Sequence, residues 1–406
     1  MASSLSRAYI VGGVRTAIGK FGGSLASVRA DDLLAHTMAE LLKLFPSVEP
    51  AAITDVVIGC ANQAGEDNRN VARMSLLLAG LPPSVPGVTV NRLCASGMTA
   101  VVDAARAIRV GDGDLYLAGG VEQMTRGPFV LGKAEHPYSR TQEMYDTSLG
   151  WRFINPKMRE RYGVDSMGET AENVASQYKI SREDQDRFAL RSQQKAAAAR
   201  ARGRFKQEIT PFPLRIGKDE RLFLEDEFIR PETNLDALKA LRPAFRKEGG
   251  SVTAGNAAGL NDGACVLLLA SENALKKFGL TPRAELVASS EVGVEPRIMG
   301  IGPVAATKKV LDRAHLKLSD IQLLELNEAF AAQSLACLRE LGLADDDARV
   351  NPNGGAIALG HPLGMSGARL LLTSMIELEE KRLNFALSTM CVGVGQGVAT
   401  IIKRVA

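Results

Sequence analysis

Short apolar runs alternate with longer amphipathic segments along the first 120 residues of the chain. The apolar runs, which predict buried strands, are residues 9–11, 55–58, 87–90 and 115–118. The segments in which apolar residues recur at helical spacing are residues 30–44, 71–79 and 97–110. Strands that alternate with helices of this length predict an α/β fold in which helices cover a sheet.

The middle of the chain, residues 122–250, breaks this pattern because it is rich in charge and contains few strand-like runs. One helix is clear there. Ser181 followed three residues later by Asp184 resembles a capping box, and Gly203 is placed to end the helix. We therefore predict an inserted loop domain.

The second half of the chain resembles the first, although faintly. Apolar runs that predict further strands return at residues 265–270, 283–289, 323–326 and 385–389. In each half a strand leads into small residues that open a helix, and a pseudo-symmetric fold would bring these two loops to one site. The predicted divisions are an N-terminal half at 1–121, the loop domain at 122–250, a return strand of the N-terminal half at 251–277 and a C-terminal half at 278–406.

Composition narrows the kind of protein. The chain has 406 residues, 46% of them hydrophobic, 23% charged, and a net charge of +3. This balance is ordinary for a soluble globular protein and gives no reason to expect a nucleic acid or membrane partner. No apolar run is long enough to span a bilayer, and the N-terminus lacks a secretory pattern. Five cysteines without paired spacing do not indicate a disulfide framework, so we expect a reducing, cytoplasmic location.

Candidate chemistry is confined to a few residues, because the chain has only four histidines and five cysteines. Cys94 lies between a predicted strand and a predicted helix, and a helix N-terminus is expected to lower the pKa of a thiol. A buried, inert cysteine would show the same pattern. His361, between Gly360 and Pro362, could act as the base for that thiol, and a histidine in a plain turn is the alternative.

Cys391 and Asn327 are two further candidate site residues, and each also has an ordinary structural explanation. Cys391 is followed by a glycine-containing loop in which the backbone N–H of Gly393 could bind an oxyanion, although a plain turn between strands would explain the glycines equally well. Asn327 follows an apolar run and could be a helix N-cap. The cysteines and histidines show no zinc-ligand spacing, so we predict no metal.

Together these motifs resemble those of the thiolases, enzymes that cleave or form 3-oxoacyl-CoA, over nearly the whole chain. The motifs are Asn-Arg-Leu-Cys-Ala-Ser-Gly at 91–97, Asn-Glu-Ala-Phe at 327–330, Gly-His-Pro at 360–362 and Cys-Val-Gly at 391–393. The resemblance implies the thiolase fold: two pseudo-symmetric mixed-sheet halves in a five-layer αβαβα core, with an inserted loop domain. It also implies a homodimer or homotetramer.

The resemblance implies a role for each motif. Cys94 would be the nucleophile that becomes acylated, and His361 would activate it and help bind the enolate oxygen of the departing acetyl-CoA. Asn327 would hold the water that completes this first oxyanion hole. Cys391 would protonate the leaving carbanion and then deprotonate the incoming CoA. The backbone N–H groups of Cys94 and Gly393 would form the second oxyanion hole.

Positions that bind coenzyme A are implied in the same way, with CoA as a substrate and no separate cofactor. Residues 251–263 resemble the family's pantetheine-binding loop, which contains Ala254 and Ala258; Ala258 replaces a serine of well-known members. Arg230 resembles the arginine that stacks near the adenine, and Ser166 replaces a histidine of acetoacetyl-CoA members. The remaining pocket residues would be Met167, Met299, Ala329 and Phe330.

The segment 143–156, Glu-Met-Tyr-Asp-Thr-Ser-Leu-Gly-Trp-Arg-Phe-Ile-Asn-Pro, resembles that of the 3-oxoadipyl-CoA thiolases. This resemblance implies cleavage of 3-oxoadipyl-CoA by CoA to succinyl-CoA and acetyl-CoA in the breakdown of aromatic compounds. Our hypothesis is that Arg152 pairs with the distal carboxylate, because an arginine fork matches a carboxylate. A surface arginine without this role is the alternative.

Other functions remain open at this point. The chain could be a general 3-oxoacyl-CoA or acetoacetyl-CoA thiolase. A condensing enzyme of fatty-acid synthesis fits less well, because such enzymes usually have a second histidine where this chain has Cys391. A non-catalytic acyl-CoA or lipid carrier on the same scaffold is the alternative from a different class.

Overall fold

The computed structural model describes residues 5–216 and 219–405, apart from the side chain of residue 216. The strands are β1 (Tyr9–Arg15), β2 (Gly19–Lys20), β3 (Asp55–Gly59), β4 (Gly87–Val90), β5 (Leu115–Gln123), β6 (Phe129–Leu131), β7 (Met144–Asp146), β8 (Phe212–Ile216), β9 (Asp219–Phe223), β10 (Asn261–Ala270), β11 (Ala284–Gly293), β12 (Leu323–Leu326), β13 (Phe385–Val392) and β14 (Gln396–Arg404). The α-helices are α1 (Ala30–Lys43), α2 (Val71–Leu78), α3 (Ser96–Val110), α4 (Pro156–Tyr162), α5 (Met167–Gln177), α6 (Arg182–Ala201), α7 (Leu235–Lys239), α8 (Glu272–Phe278), α9 (Gly302–Ala314), α10 (Ala331–Glu340), α11 (Ala356–Leu359) and α12 (Leu363–Glu380). The expectations drawn from residues 1–4 and from residue 406 lie outside the described residues.

The strands and helices predicted from periodicity are confirmed, and the differences lie at their ends. The strand predicted at 115–118 continues to Gln123. The extension includes Gly119 and Gly120, which are not typical strand residues. A Cβ on Gly120 would lie 1.9 Å from the carbonyl oxygen of Gly364 in α12. Glycine is therefore needed inside this strand so that the start of α12 can approach the sheet.

The main sheet runs in the order β12-β13-β14-β11-β1-β10-β5-β3-β4 among the described residues, with β2 paired to β10. Only two residue pairs join β1 to β11, namely Tyr9 with Glu285 and Ile10 with Ala284. One sheet was expected in each half, and the structure joins the two into one continuous sheet through this short pairing of β1 with β11.

The pairing pattern repeats across that junction, which confirms the predicted pseudo-symmetry. In the first half, β1 is antiparallel to β10, β10 is antiparallel to β5, and β5 is parallel to β3. In the second half, β11, β14, β13 and β12 repeat this sequence of pairings. A long insertion joins β5 to β10, whereas only residues 393–395 join β13 to β14. The predicted domain limits themselves stay predictions.

Helices pack on both faces of each half of the sheet, which gives three layers of helices and two layers of strands. Side chains of α3 and α12 form the middle layer with one face of each half. Helices α1 and α2 cover the outer face of the first half, and α9 and α10 cover that of the second. This is the predicted αβαβα arrangement. The N-termini of α3 and α12 touch, because a Cβ on Gly97 would lie 2.4 Å from the carbonyl oxygen of Gly364.

The inserted region holds the hairpins β6–β7 and β8–β9 together with α4 to α7. Helix α6 begins after Ser181, whose side chain accepts a hydrogen bond from the backbone N–H of Asp184 as predicted. It ends two residues before Gly203, which has a left-handed conformation with φ of 76°. In the part of the chain that the structure describes, no helix combines the length and the apolar character needed to cross a membrane.

Candidate active site

Cys94 lies in a single 3₁₀ turn, Leu93–Ala95, immediately before α3. Two neighbouring side chains hold this turn: the Asn91 side chain accepts a hydrogen bond from the N–H of Leu93 (2.8 Å), and the Ser96 hydroxyl donates one to its carbonyl (2.6 Å). Leu93 has a positive φ of 45°, a conformation that costs energy and persists only where the surrounding structure imposes it. The Asn91 and Ser96 side chains thus fix the backbone of the turn that carries Cys94.

The thiol faces a cavity of about 230 Å³ lined also by Glu122 and Gly393. Burial raises the pKa of Cys94 to about 11, although the backbone N–H groups of Gly393 and of Cys94 itself lower the pKa by hydrogen bonding. The expected net lowering of this pKa at the helix N-terminus is therefore wrong. Removal of the thiolate from water outweighs the nearby dipoles.

His361 is held in one tautomer. The Ser366 hydroxyl donates its single hydrogen to the carbonyl of Pro362 (2.8 Å), so it accepts a hydrogen bond from Nδ1–H of His361 (2.6 Å). Nε2 is then left without a proton. Burial, and then the positive charge of Arg369, lower the pKa of His361 to about 3, so the imidazole is neutral at physiological pH and Nε2 keeps a lone pair that can accept a hydrogen bond.

A neutral thiol and a neutral imidazole give a testable pH dependence. Since only the thiolate is alkylated, the rate at which iodoacetamide modifies Cys94 is expected to keep rising from pH 6 to pH 9, by up to about tenfold per pH unit. Peptide mass spectrometry after timed quenching measures the rate at Cys94. A rate that is already constant above pH 6 would mean a preformed thiolate–imidazolium pair and would contradict this geometry.

Asn327 lies directly after β12 and reaches His361. Its N–H donates to the carbonyl of Thr389 (3.0 Å), and its Nδ2 lies 3.4 Å from Nε2 of His361. Its Oδ1 is buried and has no hydrogen-bond partner among the described residues. The N-cap interpretation is wrong, because α10 begins only at Ala331 with Phe330 at the N-cap position.

Cys391 lies near the end of β13 and is buried. Burial raises the pKa of its thiol well above the ordinary value, and Cys94 is a second, electrostatic cause. The turn that follows has positive φ at Val394 and Gly395, and it places Gly393 on the cavity wall beside Leu93.

The residues predicted to bind CoA and the acyl chain do not all line this cavity. The predicted site residues that line it are Cys94, Arg152, Met167 and Gly393. Those that pack in one apolar cluster with Cys391, against which Met167 also packs, are Met299, Ala329 and Phe330. The backbone N–H of Ala258 donates to the carbonyl of Ala329 (3.0 Å). Arg230 and Ala254 are exposed and do not line the cavity, and Arg230 stacks over the ring of Phe228. The CoA-binding roles stay predictions.

Sequence reasoning missed Glu122. This buried carboxyl group accepts hydrogen bonds from the backbone N–H groups of Ala61 (3.0 Å), Asn62 (3.0 Å) and Gly364 (2.7 Å). It thereby ties the loop after β3 to the start of α12, beside His361. Burial raises its pKa to about 7. The only available signal was an acidic residue at the carboxyl end of a predicted apolar strand.

Within the described part of the chain, one cluster has side chains that could ligate a metal. Ligand atoms of Cys60, Asp67 and Glu122 all lie within 4.8 Å of one another. The two carboxylates already accept backbone N–H groups, and the Cys60 thiol donates to Asp67 (3.5 Å). These contacts account for the cluster through protein atoms, and the absence of a metal stays a prediction.

The fold and the site together define an acyltransferase, an enzyme that can carry an acyl group as a thioester on a cysteine. Residues 8–273 match the family model for the thiolase N-terminal domain, and residues 280–404 match that for the thiolase C-terminal domain. The chain belongs to the thiolase family.

Individual relatives are similar over their full length. A 3-oxoadipyl-CoA/3-oxo-5,6-dehydrosuberyl-CoA thiolase of Escherichia coli (strain K12) is 59% identical over 402 residues, 99% of this chain and 100% of the relative. A beta-ketoadipyl-CoA thiolase of Pseudomonas putida is 59% identical over 397 residues, 98% of this chain and 99% of the relative. The crystal structure of human mitochondrial 3-ketoacyl-CoA thiolase matches with a TM-score of 0.92 and 38% identity, covering 99% of this chain and 100% of that one. The predicted thiolase fold is confirmed.

Proposed function

We propose that this thiolase cleaves 3-oxoadipyl-CoA with CoA to succinyl-CoA and acetyl-CoA, in the breakdown of aromatic compounds. The similarity to relatives named for this substrate supports the proposal. The observation in the site that carries it is Arg152, a cation on the wall of the same cavity as Cys94. A carboxylate at the far end of the acyl chain is the group that such a cation would recognise.

Cleavage begins with attack of the Cys94 sulfur on the ketone carbon C3 of the substrate, while the thiol proton passes to Nε2 of His361. The negative charge that forms on the C3 oxygen is held by the backbone N–H groups of Cys94 and Gly393. The same two N–H groups lower the pKa of the Cys94 thiol by hydrogen bonding, which supports their role as donors to negative charge at this point.

Collapse of this intermediate breaks the C2–C3 bond and leaves the electron pair in the thioester enolate of acetyl-CoA. The protonated Nε2 of His361 and a water bound to Asn327 would donate to the enolate oxygen. The Cys391 thiol would protonate C2, which releases acetyl-CoA and leaves Cys391 as a thiolate. Free Oδ1 of Asn327 and the short separation between Asn327 and His361 support this division of roles.

The second half of the reaction returns the enzyme to its starting state. The Cys391 thiolate takes the proton of the CoA thiol, and the CoA sulfur attacks the succinyl thioester on Cys94. Collapse releases succinyl-CoA and a Cys94 thiolate, which regains its proton from His361. Because a thioester stays activated towards thiols, this second transfer needs no further energy source.

The surroundings of Arg152 support a role in binding a substrate carboxylate. Its Nη2 donates to the side-chain oxygen of Asn62 (3.2 Å). Among the described residues, no carboxylate lies within ion-pair distance of it. An unpaired, half-buried arginine has lost part of its hydration, and a substrate carboxylate can replace it.

Replacement of Arg152 by alanine tests the proposal. The wild-type enzyme is expected to have a higher kcat/KM for 3-oxoadipyl-CoA than for acetoacetyl-CoA. In Arg152→Ala the ratio of these two constants is expected to fall by roughly 10- to 100-fold, because a charge-assisted hydrogen bond contributes ~1.5–3 kcal/mol. Steady-state assays with both substrates measure the ratio.

Arg161→Ala is the matched control, because Arg161 is an exposed arginine of α4 that does not line the cavity. Its ratio is expected to equal that of the wild type. Faster wild-type cleavage of acetoacetyl-CoA would favour the general thiolase instead and would overturn the proposed substrate.

Ser166 bears on the acetoacetyl-CoA alternative. Ser166 lines the cavity at the position where acetoacetyl-CoA members of the family have a histidine. Its side chain forms a capping box with Glu169 at the start of α5. A small hydroxyl engaged with its own helix leaves room for a longer acyl chain. This observation favours 3-oxoadipyl-CoA over acetoacetyl-CoA as the preferred substrate.

We also propose a homodimer or homotetramer in the cytoplasm. Apolar side chains are exposed on the hairpin β6–β7, where Phe129, Leu131 and Met144 are each more than half exposed. The edge strand β4 also exposes Val88. Five free cysteines agree with a reducing compartment. The mass measured by light scattering in solution decides between dimer and tetramer.

A further inference from the structure

Arg152 is oriented by an uncharged partner. Asn62 lies in the loop after β3, lines the same cavity, and accepts the hydrogen bond from Nη2 of Arg152 through its side-chain oxygen. A guanidinium group held by a carboxylate would be neutralised. An amide oxygen fixes its direction and leaves its full positive charge for another anion.

The orientation of the Asn62 amide follows from its other contact. Thr147 donates its hydroxyl hydrogen to the carbonyl of Pro128 (2.7 Å), so its oxygen accepts a hydrogen bond from Nδ2 of Asn62 (3.2 Å). The amide nitrogen is thereby turned towards Thr147 and the amide oxygen towards Arg152. Since a guanidinium group has donors only, the two contacts agree on one orientation.

The backbone of Asn62 is fixed as well. Its N–H donates to the buried carboxyl group of Glu122 (3.0 Å), which also accepts the N–H of Gly364 at the start of α12. The same carboxyl group therefore anchors both the residue that aims Arg152 and the loop that carries His361. The Glu122 carboxyl group therefore links the part of the site expected to bind the distal carboxylate with the part that carries out the reaction.

We propose that Asn62 is a specificity-determining positioning residue. It aims the Arg152 guanidinium into the cavity without cancelling its charge, so that the enzyme prefers an acyl chain that ends in a carboxylate. This inference rests on the proposed function, in which Arg152 binds that carboxylate. It predicts that the neutrality of residue 62, and not only its shape, determines the choice of substrate.

Asn62→Asp separates charge from shape, because the two side chains have nearly the same size. The new carboxylate would pair with Arg152 and compete with the substrate for it. The ratio of kcat/KM for 3-oxoadipyl-CoA to that for acetoacetyl-CoA is expected to fall at least tenfold, mainly through KM for 3-oxoadipyl-CoA. Asn62→Ala, which removes the contact without adding charge, is expected to lower the ratio less.

Two further variants control for added charge and for structural damage. Asn68→Asp adds the same charge at an exposed position that does not line the cavity, and its ratio is expected to equal that of the wild type. In the Arg152→Ala background, Asn62→Asp is expected to have no further effect on the ratio, because the cation on which it acts is gone. General damage to the fold would instead lower the rate with both substrates in either background.

The outcomes distinguish this inference from the function on which it rests. If Arg152→Ala leaves the ratio unchanged, the proposed carboxylate contact is wrong. If Arg152→Ala lowers the ratio but Asn62→Asp does not, or if Asn62→Asp lowers it equally without Arg152, the role of Asn62 is overturned while the proposed substrate stands.

Discussion

Replacement of Cys94 by alanine is expected to lower kcat for thiolysis by about 10⁴-fold or more, which is the scale on which loss of a catalytic nucleophile acts. The variant keeps the cavity and the Gly393 turn, so binding of 3-oxoadipyl-CoA is expected to survive. The loss should therefore appear in kcat and not in KM. Steady-state cleavage monitored by loss of the 3-oxoacyl-CoA absorbance measures the rate, and calorimetry measures binding.

Cys265→Ala serves as the matched control. Cys265 is also a buried free cysteine, but it lies in the core strand β10 and does not line the cavity. Its activity is expected to stay within about twofold of the wild type, as usual for a change far from the chemistry. If Cys94→Ala retained a comparable activity, covalent catalysis through this thiol would be excluded.

Loss of His361 is expected to have the second-largest effect. The alanine variant loses the base for Cys94 and a donor to the enolate oxygen, and each such loss costs about 10²–10³-fold in rate. A decrease in kcat of about 10³-fold or more is therefore expected. Single-turnover experiments should show that acylation of Cys94 itself is slowed, because the proton transfer belongs to that step.

Two variants test whether the tautomer matters. Ser366→Ala removes the acceptor of Nδ1–H and is expected to lower kcat by about tenfold, since a buried donor left without a partner costs ~1–3 kcal/mol. His315→Ala, at an exposed position after α9, should have no effect. If His361→Ala left the acylation rate unchanged, a different base would have to be sought.

Most of the framework could be predicted from the sequence, because it depends on local patterns. Apolar runs and helical spacing located the strands and helices, and repetition of the small-residue loops before α3 and α12 indicated the pseudo-symmetry. Cys94, His361 and Cys391 were identifiable because thiols and imidazoles are rare in this chain and lie in glycine-rich motifs. The contact between Gly97 and Gly364 shows why these loops must be built from small residues.

The electrostatics of the site could not be predicted in this way. The pKa of Cys94 depends on the balance between burial and nearby N–H groups, and burial is a property of the complete fold. Asn327 carries a generic cap signal. However, Phe330 is extended and bridges to Ala257, so the helix begins only at Ala331, four residues after Asn327.

Contacts between distant segments escaped prediction for the same reason. Glu122 binds backbone N–H groups 60 residues before it and 242 residues after it. Asn62 accepts a hydrogen bond from Arg152, which lies 90 residues further along the chain. No spacing rule links such positions, so a residue that holds the site together can look like an ordinary polar residue in the sequence.

Acylation of Cys94 is tested most directly by mixing the enzyme with 3-oxoadipyl-CoA in the absence of free CoA, quenching in acid and mapping peptides by mass spectrometry. The expected result is a succinyl group on the peptide that contains Cys94, with stoichiometric release of acetyl-CoA. A succinyl group on Cys391 instead, or release of acetyl-CoA without any covalent adduct, would contradict the mechanism.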